Sequence, residues 1–265
     1  MIVFPPCKIN LGLHVLRKRS DGYHDIETCF YPVPWTDILE IIPSKEFSFS
    51  LTGNPVPGNE EENLCVKAYR LLAQDIPLPP VNIHLHKIIP AGAGMGGGSS
   101  DGAWTLRVLN DVFDLKLSKD GLKQYASKLG SDCVFFIDDS PMIGTGRGEV
   151  LSAVEVDLKG KYLMIVKPEV HISTRQAYEG VVPSVPARKL ADVIGNFGEW
   201  KFQLKNDFEA SILEKFPVIR NIKQTLYTAG AEYASMTGSG SAVYGIFSKK
   251  PDVDAGETVQ SVVRL

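Results

Sequence analysis

A glycine-rich stretch at residues 90–100 constrains the fold more than any other part of the sequence. It lies between residues 81–89, whose apolar residues alternate as in a strand, and residues 101–113, whose apolar residues recur at helical spacing. In that position, glycines let the backbone approach an anion closely, and the start of the helix adds unpaired N–H groups. We therefore predict a phosphate-binding loop made of Pro90, Ala91, Gly92, Ala93, Gly94, Met95, Gly96, Gly97, Gly98, Ser99 and Ser100.

Two common kinds of phosphate loop do not match this stretch. No Gly-Lys-Ser/Thr sequence closes it, so it is not a Walker loop. The three glycines of a dinucleotide-binding GxGxxG motif are present at Gly92, Gly94 and Gly97, but the acidic residue expected at the end of a second strand is missing.

Ser99 and Ser100 are expected to cap the following helix, bond phosphate oxygens or help to hold Mg²⁺. Composition alone leaves a flexible surface loop as the alternative.

Composition excludes several other classes of protein. The chain has 265 residues, enough for one large domain or two modest ones, and its formal net charge of −3 does not favour binding to nucleic acid. No apolar run reaches the roughly 20 residues of a membrane helix, and the N-terminus lacks the features of a signal peptide. Cys7, Cys29, Cys65 and Cys133 are scattered, which predicts neither zinc nor disulfides and suits a reducing cytoplasm.

Strands and helices are predicted in mixed order, without regular alternation, which indicates an α+β fold. A cluster of turn residues before Ser152 predicts two domains, residues 1–151 and 152–265, and residues 183–186 are a second possible break. The predicted strands are residues 4–15, 23–33, 38–42, 47–51, 81–89, 162–167, 234–236 and 242–247. The predicted helices are residues 64–73, 101–113, 122–129 and 216–228.

Residues 90–103 resemble the central motif of the GHMP kinases, a family named after galactokinase, homoserine kinase, mevalonate kinase and phosphomevalonate kinase. Their particular form is similar to the branch that phosphorylates 4-diphosphocytidyl-2-C-methyl-D-erythritol. Six further segments resemble motifs of that branch in the same order, so that the resemblance covers nearly the whole chain. They are residues 8–13, 21–24, 130–132, 146–149, 206–209 and 236–241.

The resemblance implies a two-domain α+β fold, with the ATP loop in the N-terminal half and a ferredoxin-like C-terminal half. It implies that ATP, with Mg²⁺ delivered alongside it, phosphorylates the 2-hydroxyl group of a small molecule carrying a cytidine diphosphate. This step belongs to the non-mevalonate route to isoprenoid precursors. No nucleic-acid or membrane partner is expected, and the sequence leaves a monomer and a homodimer equally open.

The same resemblance implies that Asp132 is the catalytic base and Lys8 the catalytic lysine. Phosphoryl transfer needs positioning, charge neutralisation and an acceptor for the hydroxyl proton. Lys8 is expected to keep Asp132 ionised, orient the hydroxyl or stabilise charge on the phosphate. Asn10 follows two residues after Lys8 and shares its face of the predicted strand, so we expect it to position the substrate or Lys8. Without the resemblance, Asp132 would be interpreted as a turn carboxylate and Lys8 as a solvated lysine.

Four residues are expected to bind the nucleotide end of the substrate. Tyr23 offers a ring that can stack on cytosine, and His24 can both donate to and accept from a base edge. The family has a second aromatic four residues after a threonine, and Thr174 is followed at that spacing by Tyr178. Taken alone, Tyr23 and His24 would be an ordinary hairpin turn, and Tyr178 a ring on a helix face.

For ATP, Asn63 and Lys87 fall at positions similar to those that contact adenine and ribose in the family. Gly238 and Ser239, with Gly240, are expected to support the phosphate loop or touch its ligands, although a tight hairpin would explain them equally well. Only Mg²⁺ that arrives with ATP is expected as a metal ion.

The chain departs from the family pattern at two positions. Val134 stands where the family has proline, which would fix the backbone beside Asp132, so the rigidity of that turn is left open. Met95 stands where leucine is usual, a change of similar volume that we expect to be harmless.

His84 and His86 share a strand face, but without an evident third ligand we do not predict a metal site there.

Three alternatives to this function stay open. Another GHMP kinase, for homoserine or mevalonate, would have no use for the base-binding residues 21–24. A nucleotide-binding regulator without turnover would not need both Lys8 and Asp132. A dinucleotide-dependent oxidoreductase is disfavoured by the missing ribose-binding acid.

Overall fold

The structure is a computed structural model that describes residues 1–254, 256 and 259–265. The chain forms two compact units, each assembled from separate segments of the sequence. The first unit contains Met1–Cys7, Trp35–Ala91 and Gly96–Ser140. The second contains Lys8–Pro34, Gly92–Met95 and Pro141–Leu265.

Strands and helices are mixed along the chain, as an α+β fold requires. The strands are β1 (Ile2–Val3), β2 (Pro6–Lys18), β3 (His24–Thr36), β4 (Ile38–Pro43), β5 (Ser48–Gly53), β6 (Val81–Lys87), β7 (Met142–Thr145), β8 (Val150–Ala153), β9 (Tyr162–Lys167), β10 (Tyr233–Met236), β11 (Val243–Phe247) and β12 (Val259–Arg264). The α-helices are α1 (Leu64–Asp75), α2 (Gly97–Val112), α3 (Lys119–Leu129), α4 (Phe135–Asp138), α5 (Thr174–Glu179), α6 (Leu190–Ile194), α7 (Trp200–Gln203), α8 (Glu209–Lys215) and α9 (Pro217–Thr228).

The first unit is built on a sheet with the strand order β1-β4-β6-β5. Strand β6 pairs antiparallel with β4 and parallel with β5. Its apolar residues Val81, Ile83 and Leu85 are buried, while the residues between them are at least partly accessible. Lys87 continues the buried row by the same period of two, which places a lysine on the core face of the sheet.

The second unit holds two further sheets, with strand orders β2-β3-β7-β8 and β10-β11-β9-β12. In the sheet β10-β11-β9-β12, all neighbouring strands pair antiparallel. Numbered by their order along the chain within this sheet, the strands lie side by side as 2-3-1-4. This is the strand order of a ferredoxin-like sheet, which agrees with the expectation for the C-terminal half. Helix α9 buries Ile219, Ile222 and Leu226 in the core of this unit.

The structure confirms the predicted strands and helices but moves several boundaries. Helix α2 begins at Gly97, four residues before the predicted start at residue 101. Short elements such as β1, β7 and β8 were not predicted, because strands of two to four residues carry little periodic signal. Within the part of the chain that the structure describes, no helix has both the length and the apolar character needed to cross a bilayer.

Candidate active site

Lys8 and Asn10 lie on one face of β2, as their spacing predicted. The Lys8 ammonium donates to Asn10 Oδ1 at 2.6 Å and to the backbone carbonyl of Gly94 at 2.9 Å. Both side chains are almost fully buried in the second unit. A buried ammonium needs hydrogen-bond acceptors of this kind, because desolvation otherwise disfavours its charge.

Residues 92–95 of the glycine-rich stretch pack against the turn that follows β10. Gly92 and Gly94 have φ of +65° and +78°, a backbone region that residues with a side chain rarely adopt. A Cβ on Gly94 would lie 2.2 Å from the carbonyl oxygen of Thr237, so the two backbones meet there too closely for any side chain. The Lys8 N–H donates to the Met95 carbonyl at 2.9 Å, which joins this segment to β2.

The rest of the stretch, Gly96 to Ser100, belongs to the first unit and starts α2. Gly96 is the N-cap and offers no side-chain hydrogen bond, so the prediction that Ser99 or Ser100 caps the helix is wrong: both lie inside its first turn. The uncapped N–H groups and the positive helix end suit an anion. Ser100 Oγ is buried without a hydrogen-bond partner among the described residues, which fits a phosphate oxygen or an ion.

Asp132 lies in a single 3₁₀ turn, Ser131–Cys133, directly after α3. Gly130 ends α3 as its C-cap, and its carbonyl accepts from the Cys133 N–H at 3.1 Å. Val134 follows with φ of −61° and ψ of −38°. That φ is close to the value of about −65° that proline imposes, so valine holds the turn in the conformation a proline would favour.

The four cysteines are buried free thiols. Burial raises the pKa of Cys133 to about 12, with Asp132 acting in the same direction and a hydrogen bond with Ser99 against it. Cys133 is therefore a protonated packing residue at neutral pH and not a reactive thiolate.

Lys87 is buried between two carboxylates of the first unit. Its ammonium donates to Asp37 and, at 2.7 Å, to Asp101, the fifth residue of α2. Asp37 Oδ1 also accepts from the N–H groups of Ile88 and Ile89 at 2.6 and 2.9 Å. This Asp37–Lys87–Asp101 cluster joins the end of β6 to the start of α2, which are the two ends of the glycine-rich stretch.

Burial and the neighbouring charges both shift the pKa values of Lys87 and Asp101. Burial lowers the pKa of Lys87, but Asp101 and Asp37 outweigh it and raise the pKa above 10.5. Burial raises the pKa of Asp101 to about 7, with Asp37 adding to the increase and Lys87 opposing it. Lys87 is therefore held as an ammonium ion, and its contact with ATP stays a prediction.

Asn63 is the N-cap of α1, where its Oδ1 accepts from the Cys65 N–H at 2.9 Å. The side-chain oxygen thus stabilises the helix start. The amide nitrogen is the group left to contact adenine, and this role also stays a prediction.

Rings cluster where the sequence predicted binding of a base. His24 stacks on Tyr178 with 4.6 Å between ring centroids, and the rings of Tyr178 and Phe208 form a T-shaped pair with 4.9 Å between centroids. Tyr23 is 57% exposed, and the Arg147 guanidinium lies 4.9 Å from the centroid of its ring. Sequence reasoning missed Arg147 and Phe208, although both lie in motif segments that it quoted.

His24 is neutral at neutral pH. Burial lowers its pKa below the ordinary value of 6.5, and the charge of Lys18 adds to the decrease. A neutral imidazole has one donor and one acceptor nitrogen, so it can recognise both kinds of group on a base edge.

Thr174 is the first residue of α5, and its Oγ1 lies 3.4 Å from the Ser239 hydroxyl. The fold therefore brings together a predicted substrate residue and a predicted ATP residue within the second unit.

His84 and His86 both contact Thr52 Oγ1 at 2.9 Å on the accessible face of β6. In the described ranges, no group of three His, Cys, Asp or Glu side chains is arranged to hold a metal ion.

Two family models match the chain. The model of the GHMP kinases N terminal domain matches residues 63–144, and that of the GHMP kinases C terminal matches residues 189–262. The predicted domain boundary at 151/152 lies between the two matched segments and stays a prediction.

Similar proteins share a name. A protein of Cytophaga hutchinsonii named 4-diphosphocytidyl-2-C-methyl-D-erythritol kinase is 51% identical over 95% of this chain and 94% of its own. A protein of the same name in Bacteroides thetaiotaomicron is 49% identical over 98% of this chain and 97% of its own.

Solved structures share the fold. A 4-(cytidine 5'-diphospho)-2C-methyl-D-erythritol kinase is 29% identical with a TM-score of 0.78, over 93% of this chain and 90% of its own. A homoserine kinase from Cytophaga hutchinsonii is 14% identical with a TM-score of 0.64, over 98% of this chain and 94% of its own, and that likeness concerns the fold alone.

Proposed function

This chain belongs to the GHMP kinase family, and we propose that it transfers the γ-phosphoryl group of ATP to the 2-hydroxyl group of 4-diphosphocytidyl-2-C-methyl-D-erythritol. The observation that carries the proposal is the ring cluster of the second unit, in which His24 stacks on Tyr178 and Tyr23 is largely exposed. An acceptor without a base would have no use for these rings. The names of the relatives support the same acceptor. The reaction would serve the non-mevalonate route to isoprenoid precursors.

ATP would bind to the glycine-rich stretch through backbone N–H groups. Gly92 and Gly94 support this role because their positive φ lets the backbone turn its N–H groups toward an anion. The first turn of α2 adds its own N–H groups and positive end. Ser99 and Ser100 would bond phosphate oxygens or the Mg²⁺ that accompanies ATP, and that ion would neutralise phosphate charge.

Asp132 would accept the proton of the substrate hydroxyl. The hydroxyl oxygen then forms a bond to the γ-phosphorus, the bond from that phosphorus to the bridging oxygen breaks, and ADP leaves. Lys8 would stabilise the charge that develops in this step, which suits an ammonium held by Asn10 and Gly94. The burial of Lys8 supports the role because charges act more strongly where water is excluded.

Four buried thiols fit a reducing compartment, and we place the reaction in the cytoplasm on that ground. The substrate is a small molecule that carries a cytidine diphosphate. A homoserine or mevalonate acceptor is the alternative within the family, and a nucleotide-binding regulator is the alternative outside it.

Release of ADP with Mg²⁺-ATP tests the proposal, with 4-diphosphocytidyl-2-C-methyl-D-erythritol, mevalonate and homoserine offered in parallel. Turnover with the first acceptor alone is the expected result. Turnover with another acceptor would keep the kinase and overturn the role of the ring cluster. Binding of ATP without turnover of any acceptor would favour the regulator.

Replacement of Tyr23 by alanine is expected to raise the Michaelis constant for the cytidine substrate about 5- to 150-fold, with little change in kcat. Stacking of a base on an aromatic ring contributes about 1–3 kcal/mol, and this change removes it. Steady-state ADP release over a range of substrate concentrations measures the constant. Phe202→Ala, which removes an exposed ring, is the control. An unchanged constant in Tyr23→Ala would contradict stacking.

Recognition of the base by His24 predicts a dependence on pH. Because the pKa of His24 is lowered, the neutral ring persists through neutral pH and is lost only on the acid side of 6.5. The Michaelis constant for the cytidine substrate should therefore be constant between about pH 7 and 8 and rise toward pH 5.5. His24→Asn should abolish the acid rise while raising the constant at every pH. An acid rise that persists in His24→Asn would assign it to another group.

A further inference from the structure

The hydroxyl of Thr237 lies against two oxygen atoms that accept hydrogen bonds from the Lys8 ammonium. Thr237 Oγ1 is 3.2 Å from Asn10 Oδ1 and 3.1 Å from the Gly94 carbonyl oxygen, and the same two atoms accept from Lys8 Nζ. The Thr237 side chain is completely buried in the second unit. A threonine that no step of the proposed reaction uses thus shares two acceptors with the lysine.

The Asn10 amide can point in one direction only. Thr28 Oγ1 donates its single proton to the Gly12 carbonyl at 2.6 Å, so toward Asn10 it can only accept, and it receives the Asn10 Nδ2 proton at 2.9 Å. This contact turns the Asn10 oxygen toward Lys8. The backbone N–H of Asn10 in turn donates to Thr237 Oγ1 at 3.1 Å, so Thr237 fixes both the main chain and the side chain of Asn10.

The main chain on both sides of Thr237 is held by Asn206. The Asn206 amide donates to the carbonyls of Met236 and Gly238, each at 2.9 Å, and its Oδ1 accepts from the Phe208 N–H at 3.0 Å. The Glu209 carboxylate accepts from the Met236 N–H at 2.7 Å. The motif segment 206–209, which the proposed reaction does not use, therefore holds the turn that presents the Thr237 hydroxyl.

We propose that Thr237 is a positioning residue for Lys8: its hydroxyl, presented by a turn that Asn206 holds, shares its one proton between two of the oxygens that accept from the ammonium. The inference depends on the proposed function, because it assigns Thr237 to the step in which Lys8 stabilises charge. Thr237 acts through Lys8 and need not touch the substrate.

Loss of the hydroxyl should affect the chemical step more than binding. Without it, the Asn10 N–H loses its acceptor, and Asn10 Oδ1 and the Gly94 carbonyl each lose a contact, so that Thr28 is left as the support of the Asn10 amide. The ammonium then samples a wider range of positions, and small misplacements of a reacting or charge-stabilising group are costly in rate. The ring cluster that binds the nucleotide is left unchanged.

A double-mutant cycle tests the inference, with ADP release giving kcat and the Michaelis constants for both substrates. Thr237→Val should lower kcat about tenfold and change either Michaelis constant less than about threefold, and Thr237→Ser should restore kcat. In a Lys8→Met background, Thr237→Val should change kcat less than about twofold, because the group that it positions is gone. Thr228→Val, at an exposed helix residue, is the control.

Equal losses from Thr237→Val in both backgrounds would overturn the inference, since they would indicate a structural role independent of Lys8. If Thr237→Val does not fold, Thr237→Cys keeps the size and offers a weaker donor. It should give an intermediate kcat, and an unchanged kcat would also overturn the inference. The cycle uses whichever acceptor the unchanged protein phosphorylates, so a wrong acceptor would refute the proposed function without affecting the test of Thr237.

Discussion

Asp132→Asn is expected to lower kcat by about 10²–10⁴-fold or more while leaving the affinity for ATP within about twofold. Asparagine keeps the size of the side chain but cannot accept the hydroxyl proton. The surrounding backbone should persist, because the Gly130 carbonyl and the Cys133 N–H hold the turn without the carboxylate. Single-turnover ADP release measures the rate, and calorimetry with ATP measures binding.

Asp114→Asn is the matched control for the same change of charge. Asp114 is an exposed carboxylate with φ of +49°, a conformation that asparagine tolerates well. Asp114→Asn should keep kcat within about twofold. A kcat within tenfold of the unchanged protein in Asp132→Asn would remove Asp132 as the base. Loss of ATP affinity together with kcat would instead give the residue a structural role.

Lys87→Met is expected to lower the free energy of unfolding by about 3–5 kcal/mol. The change leaves Asp37 and Asp101 buried together without the ammonium that both carboxylates share. Removing one partner of a buried ion pair lowers the free energy of unfolding by more than the intact pair adds to it. The reason is that the remaining charge has neither its partner nor water to stabilise it. Denaturant unfolding followed by circular dichroism measures the loss, and Lys67→Met, on the exposed side of α1, is its control.

The loss in Lys87→Met should grow as pH rises. The pKa of Asp101 is already raised to about 7, against about 3.9 for an unfolded aspartate, and removal of Lys87 raises it further. A pKa that is raised in the folded state means that folding favours the protonated carboxyl. The stability that this protonation contributes is therefore present at low pH and is lost as the pH rises through the folded pKa. The deficit should therefore be larger at pH 8 than at pH 5.5. A deficit independent of pH would contradict this origin, and Asp101→Asn in the same variant should recover part of the stability.

The periodicity of apolar residues predicted the long strands and helices, whereas tertiary packing determines the short elements and the exact boundaries. Residues 162–167 were predicted as a strand and form β9 with the same bounds. Helix α2 was predicted to start too late, because glycine has low helix propensity and the pattern counts apolar residues. The helix starts at Gly97 because Gly96, the N-cap, has a φ of +69°. This left-handed conformation turns the chain into the helix, and glycine adopts it at little cost.

For the candidate site, the sequence predicted local relations and missed distant ones. The shared face of Lys8 and Asn10 follows from a period of two, and their hydrogen bond confirms it. The same period put Lys87 on the core face of β6, but its partners Asp37 and Asp101 are 50 and 14 residues away and no local pattern joins them. Thr237 was missed for a similar reason, since its partner Asn10 is 227 residues away.

The buried thiols have a practical consequence for spectroscopy. Burial raises the pKa of Cys29, Cys65 and Cys133, and Cys7 is fully shielded from solvent, so maleimide dyes should react slowly with the native protein. A cysteine introduced at Val182, which is 86% exposed, would then carry a single fluorophore without prior removal of the natural thiols. Ligand titrations could be followed by fluorescence on a protein that is otherwise unaltered in its interior.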